Sequence, residues 1–186
     1  MPRIHYRVHH IVLILLSVSI FWTLFYENTF KIQKDETFTL FITANYVDTK
    51  TLEDTIQTQF TENGIRKVEV IVISQSDTYF TTQFMTRGLL DSDLLILPKN
   101  LLDQFDLNEQ FLPIQSALIS SISWTTHTLD ALDKPHAMRV YESGATNHLR
   151  FNALMAETQD YYVVINKDSV HPETLLNQLL LSLIQP

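Results

Sequence analysis

Cysteine is absent from this chain of 186 residues, and glycine occurs only three times. Without cysteine there is no disulfide, thiolate metal ligand, cysteine nucleophile or lipidated cysteine anchor. Gly64, Gly88 and Gly144 lie too far apart in the sequence to form a glycine-rich loop around phosphate groups, which excludes the nucleotide-binding motifs. We therefore predict that the protein uses no cofactor.

Acidic residues are missing from the amino-terminal 26 residues. Residues 1–10 carry Arg3 and Arg7, and residues 11–26 contain no charge, which as a helix would span about 24 Å. This pattern predicts a transmembrane signal anchor over 11–26, with 1–10 in the cytoplasm and the rest of the chain on the outer side of the cell membrane. A cleaved secretory signal is the alternative, but bulky Phe25 and Tyr26 stand where small residues would precede a cleavage site.

Basic residues are outnumbered in the remaining chain. Removing the two arginines and one glutamate of residues 1–30 from the chain totals of 13 and 21 leaves 11 basic and 20 acidic residues, a net charge of −9. Such a surface repels nucleic acid and anionic lipid headgroups, so neither is expected as a partner.

Apolar runs alternate with helical patterns along the exported part. After a linker at 27–37, strands are predicted at 38–43, 68–73, 94–97, 137–141 and 161–165, and helices begin at Thr51, near Asp77 and after Pro172. Residues 115–134 allow no assignment. Residues 38–186 are therefore predicted to form an α/β domain with a doubly wound, mostly parallel sheet of about five strands and helices on both faces.

Motifs for catalysis or metal binding are lacking. Asp91 and Asp93 precede the third predicted strand, at the edge of a parallel sheet where ligands do not bind, so they are interpreted as its solvated start. The histidines lack the spacing of a helical zinc site, and Ser143-Gly144 lacks the context of a nucleophile elbow. We predict no metal site and no enzymatic activity, with a surface hydrolase as the weakest alternative.

Polar side chains follow the predicted strands at their carboxyl ends. The candidates for binding a small polar solute by hydrogen bonds are Asn45, Tyr46, Ser74, Gln75, Lys99 and Asn100. Tyr141 to Ser143 and Asn166 to Lys167, after the fourth and fifth strands, are predicted to extend the same rim.

The segments "LFITANYVD", "VEVIVIS", "DSDLLILPKNLL" and "FLPI" resemble the first lobe of bacterial extracellular solute-binding proteins of ABC importers, which have a type 2 periplasmic-binding fold. "KPHAMRVYES" and "DYYVVINKDSVHPETLLNQLLLSLI" resemble the returning strand and helix of that lobe. The whole is similar to short membrane-anchored proteins of Gram-positive-type bacteria that carry one such lobe.

The resemblance implies a solute-binding or transport accessory module, with transporter subunits as possible partners. A protein–protein interaction or assembly subunit of a membrane complex is the alternative, docking through the polar rim or through residues 115–134.

Overall fold

The amino-terminal helix α1 spans Arg3–Thr29. The computed structural model of the chain describes residues 3–29, 32–122, 127–144, 147–156 and 158–184. Within α1, His9–Tyr26 has a mean hydropathy of 1.8 and no buried residue, so by length and composition the helix can cross a membrane. Secretory signals share this length and composition. The chain divides into two compact units, Met1–Gln33 and Lys34–Pro186.

The described residues of the second unit form nine strands. They are β1 (Thr37–Thr43), β2 (Tyr46–Val47), β3 (Lys67–Ile73), β4 (Leu94–Pro98), β5 (Phe111–Leu112), β6 (Thr128–Ala131), β7 (Lys134–Tyr141), β8 (Ala153–Leu154) and β9 (Tyr161–Asn166). The five predicted strands correspond to β1, β3, β4, β7 and β9. The prediction of about five was too low, because β5 and β6 complete a seven-stranded sheet, while β2 and β8 form a separate pair.

The main sheet is mixed rather than mostly parallel. Its strand order is β3-β1-β4-β9-β7-β6, with β5 also paired to β9. β1 pairs in parallel with β3 and with β4, whereas β9 is antiparallel to β4, β5 and β7. The late strand β9 therefore lies in the interior of the sheet and runs against its neighbours.

Helices cover both faces of this sheet. They are α2 (Thr49–Phe60), α3 (Phe80–Gln83, continued by a π-helical segment Phe84–Leu89), α4 (Lys99–Leu102), α5 (Leu107–Gln110), α6 (Ser116–Ser120) and α7 (Glu173–Leu183). Asp48, rather than the predicted Thr51, caps α2, since its carboxylate accepts a hydrogen bond from the Thr51 N–H. Residues 115–134, which the sequence patterns left unassigned, contain α6 and β6, and residues 123–126 lie outside the described residues.

Two hydrophobic clusters follow from the alternation of side chains along the strands. Phe38, Leu40 and Ile42 of β1 pack in one cluster with the buried stripes of α2 and α7. Phe41 packs in the other with Phe84 and residues of α4. Leu52, Ile56 and Phe60 form the buried stripe of α2, and buried leucines form that of α7.

The two aspartates before β4, Asp91 and Asp93, have different environments. Asp91 is exposed and lies 3.6 Å from the Lys34 Nζ atom, as expected for a solvated start of the strand. Asp93 is only 3% exposed, so the prediction of a solvated role was wrong for this residue. Its carboxylate accepts hydrogen bonds from the Thr39 N–H at 2.7 Å and from the Ser169 Oγ atom at 2.6 Å. It thereby joins β1 to the segment that leads into α7.

The two aspartates should differ in their effect on stability. We expect Asp93→Ala to lower the free energy of unfolding by about 2 kcal/mol, because two buried donors lose their acceptor. Asp91→Ala is the matched control and should change it by less than about 0.5 kcal/mol. Urea unfolding of the full-length protein in neutral detergent, followed by circular dichroism, measures both. Equal losses in the two variants would contradict the assignment.

Candidate functional site

The carboxyl ends of β1, β3 and β4 lie at one edge of the sheet because these strands run in parallel. The polar residues that follow them are joined by hydrogen bonds. The Ser74 Oγ atom donates to Asn45 Oδ1 at 2.9 Å, and the Gln75 Nε2 atom donates to Asn100 Oδ1 at 3.3 Å. Four of the six predicted binding residues, namely Asn45, Ser74, Gln75 and Asn100, are thus brought together.

A cavity of about 170 Å³ opens at this edge. It is lined by Thr43, Ala44, Asn45, Ser74, Gln75, Ser76, Ala156 and Tyr161. Asn45 is held in the wall by its backbone N–H, which donates to the Leu154 carbonyl oxygen of β8 at 2.8 Å. The cavity is smaller than the roughly 300–1,000 Å³ of pockets for drug-sized ligands, so it suits a small solute.

Thr43 is the most informative residue of this lining. It is 1% exposed, and its Oγ1 atom has no hydrogen-bond partner among the described residues. A buried hydroxyl without a partner costs about 1–3 kcal/mol and is rare in folded proteins. Thr43 belongs to the cavity lining, and its hydroxyl is buried beside the cavity without a partner among the described residues.

Tyr161 belongs to the lining because β9 runs in the direction opposite to β4. Because β9 is antiparallel to β4, its amino end meets the carboxyl end of β4, where Tyr161 pairs with Pro98. The Tyr161 hydroxyl accepts a hydrogen bond from the Ala156 N–H at 3.1 Å. Burial raises the pKa of Tyr161, so the phenol stays protonated at neutral pH and keeps a proton to donate. The sequence analysis missed this residue, which only the strand direction brings to the edge.

Three of the six predicted binding residues, Tyr46, Lys99 and Asn100, lie outside the cavity lining. Tyr46 is 61% exposed on β2, where it pairs with Leu154 of β8. The Lys99 Nζ atom donates to both carboxylate oxygens of Asp103 at 2.7 Å, and this hydrogen bond raises the pKa of Lys99. Tyr46 and Lys99 border the same edge of the sheet without contributing to its concavity.

The predicted rim residues Asn166 and Lys167 were placed at the wrong edge. The antiparallel direction of β9 carries them to the amino end of β4, where the Asn166 Nδ2 atom donates to the carbonyl oxygens of Leu89 and Ser92 at 2.8 and 2.7 Å. At the carboxyl edge their place is taken by Asp160, which was not predicted. The Asp160 carboxylate accepts from the Ser143 N–H at 2.9 Å and lies 3.4 Å from the Arg139 guanidinium.

Asp93, Ser169 and His171 form a cluster at the amino edge that contains the residue types of a hydrolase triad. Ser169 donates to the carboxylate rather than to the imidazole, and the His171 Nε2 atom lies 2.9 Å from the Thr37 carbonyl oxygen. The Ser169 hydroxyl is therefore engaged with the Asp93 carboxylate, and the His171 imidazole contacts the backbone of β1 and lies 3.8 Å from the same carboxylate. Among the described residues, no group of three or more histidines and carboxylates is placed to hold a metal ion.

Burial raises the pKa of the Asp93 carboxyl group, while the hydrogen bonds from Ser169 and Thr39 and the charges of His171 and Lys34 lower it by less. A carboxyl group with a raised pKa binds its proton more tightly in the folded protein than in the unfolded chain. Its contribution to stability is therefore fully present below its ordinary pKa and is lost as the pH rises through the raised value.

This direction can be measured in a His171→Gln background, which removes the imidazole next to Asp93. When the pH is lowered from neutral to about 4, the free energy of unfolding of the Asp93 protein should rise relative to that of its Asp93→Asn variant. Urea unfolding at the two pH values provides the comparison. A change in favour of the asparagine variant would mean that the hydrogen bonds outweigh burial.

The geometry of the carboxyl edge is consistent with recognition through amides and hydroxyls. Neither protein-family models nor curated proteins nor solved structures include a match to this chain.

Proposed function

We propose that the protein is a membrane-anchored, non-enzymatic module that binds a small polar solute at the carboxyl edge of its sheet. α1 is the membrane anchor in this proposal, with Arg3 and Arg7 on the cytoplasmic side and Lys34–Pro186 outside the cell. The observation that carries the proposal is the cavity of about 170 Å³ with the unpartnered, buried hydroxyl of Thr43 in its wall.

The chemistry of the lining favours binding over catalysis. The cavity is lined by hydroxyl, amide and apolar groups, and no carboxylate, imidazole or amine is among its lining residues. A general acid or base that titrates near neutral pH is thus missing at the position where a substrate would lie. Hydroxyls and amides offer both donors and acceptors, which suits a solute held by several hydrogen bonds.

The finer form of the proposal follows from the resemblance of the sequence segments to a lobe of a solute-binding protein. The resemblance implied that the segment around Tyr161–Asn166 is a returning strand, and β9 does return into the sheet beside β4. α7, which follows it, packs in the same hydrophobic cluster as β1 and α2. A transport accessory role near an importer is the finer form of the proposal.

The Thr43→Val variant is the sharpest test, because valine keeps the shape and removes only the hydroxyl. We expect the free energy of unfolding to stay equal or to rise by about 1 kcal/mol, since an unsatisfied group is removed. The thermal stabilisation by a solute should be lost. The measurement is a thermal-shift screen of the full-length protein in neutral detergent with sugars, amino acids and short peptides.

Asn45→Ala and Ser74→Ala should also abolish the response, and Asp91→Ala, at the opposite edge, is the control that retains it. The candidates Lys99 and Asn100 are tested in the same way. If no solute stabilises the wild-type protein, or if Thr43→Val retains the full response, the proposal fails.

A second candidate function, binding of an extended segment of a partner subunit, is favoured by the edge of β3. This strand is terminal in the sheet and pairs with β1 alone among the described strands. The Val70 N–H donates to the Glu53 carboxylate at 2.9 Å and so points away from β1, and by alternation the backbone of Val72 does so too. A groove of about 400 Å³ runs along this edge beside Tyr79, which is 70% exposed. Such an edge can accept an added strand.

Val72→Pro separates the two functions. Proline removes the outward N–H and is tolerated on an edge strand. If a partner strand pairs with β3, the amount of partner cross-linked to this variant in membranes should be at least about tenfold lower than for the wild type. Thr43→Val should recover as much partner as the wild type. Equal recovery by Val72→Pro and wild type would exclude β3 as the docking strand.

A further inference from the structure

A second cavity lies away from the carboxyl edge, between α2 and residues 150–152. Its volume is about 200 Å³. It is lined by Asp48, Thr51, Leu52, Thr55, Ile56, Gln59, Arg150, Phe151, Asn152 and Ser182. The α2 residues recur at the spacing of one helix face. Leu52 and Ile56 are buried and Phe151 is partly buried, so the floor of this groove is apolar.

Arg150 differs from the other arginines of Lys34–Pro186. Arg66, Arg87 and Arg139 each form an ion pair with a carboxylate. The guanidinium of Arg150 has neither an ion pair nor a hydrogen bond among the described residues, although its backbone is fixed by an N–H that donates to the Leu183 carbonyl oxygen at 2.9 Å. Arg150 lines a groove that also contains Leu52, Ile56 and Phe151, and in this acidic domain its guanidinium, which forms no ion pair among the described residues, can bind an anion.

We propose that this groove binds a small carboxylate with an apolar body. The guanidinium presents parallel N–H donors that match the two oxygens of a carboxylate. The apolar body of the ligand would cover Leu52, Ile56 and Phe151, and the side-chain amides of Gln59 and Asn152 lie at the same groove. The proposal is independent of the solute proposed for the carboxyl edge.

The single negative charge of a carboxylate fits this groove better than a phosphate does. Asp48 also lines it, and its oxygens accept hydrogen bonds from the N–H and the Oγ1 atom of Thr51 at the start of α2. The positive end of the helix dipole offsets part of this negative charge. A monoanion therefore meets a favourable balance with Arg150, whereas a dianion would meet more repulsion.

The test uses the full-length protein in nanodiscs of phosphatidylcholine, which carries no net charge. Isocaproate is the probe, and isocaproamide, which has the same apolar body without the charge, is the matched ligand control. Binding is measured by isothermal titration calorimetry and by saturation-transfer NMR. We expect isocaproate to bind at least about tenfold more tightly than the amide, because a charge-assisted pair is lost in the latter.

Arg150→Gln removes the charge from an exposed side chain and should weaken isocaproate binding by at least about tenfold. Arg66→Gln, at an exposed arginine outside the groove, should leave it unchanged. Arg150→Lys should retain part of the affinity, because the charge remains without the fork of donors. The proposal is overturned if isocaproate does not bind, if the amide binds equally well, or if Arg150→Gln binds like the wild type.

Discussion

The antiparallel insertion of β9 between β4 and β7 is the constraint on which the arrangement of the domain depends. Its hydrogen bonds to both neighbours fix the register of the second half of the sheet against the first half. The side chain of Asn166 locks the end of β9 to the carbonyl oxygens of Leu89 and Ser92. Because of this direction, Tyr161 lies in the wall of the cavity, and Asn166 lies at the other edge of the sheet.

The two edges of the sheet consequently differ in how their buried polar side chains are hydrogen-bonded. At the amino edge, Asp93 and Asn166 are buried and their side chains are satisfied by short hydrogen bonds. At the carboxyl edge, Thr43 is equally buried, but its hydroxyl has no partner among the residues that the structure describes. Ligands of open α/β sheets bind outside the carboxyl ends of the strands, and here the unsatisfied hydroxyl is at that end.

Local sequence patterns were sufficient for the positions of the main strands and of the helices α2 and α7. The six-residue runs that begin at Phe38 and Val68 consist mostly of apolar and β-branched residues, which favours buried strands. The direction of β9 was beyond such reasoning, because an apolar strand has the same pattern whichever way it runs. The short strands β2, β5 and β8 have two residues each and owe their existence to their partners.

The candidate residues were predicted where a loop follows a parallel strand, which explains why Asn45 and Ser74 are in the lining. Thr43 was treated as the end of a strand, since a missing partner depends on every neighbour in space. Asp93 was misjudged for a similar reason: its partners Thr39 and Ser169 are 54 and 76 residues away in the sequence.

The long stretch of sequence between β4 and β9 also sets the order in which the domain can be completed during synthesis. Until residues 161–166 have left the ribosome, the inner edge of β4, whose residues Leu94–Pro98 are all buried in the finished sheet, has no strand to pair with. His171, which contacts the Thr37 carbonyl oxygen 134 residues earlier, comes later still. Such distant pairing slows folding and leaves an apolar edge open to wrong partners. The apolar edge of β4 therefore stays unpaired until β9 has been synthesised, and a nascent chain in this state is prone to aggregate.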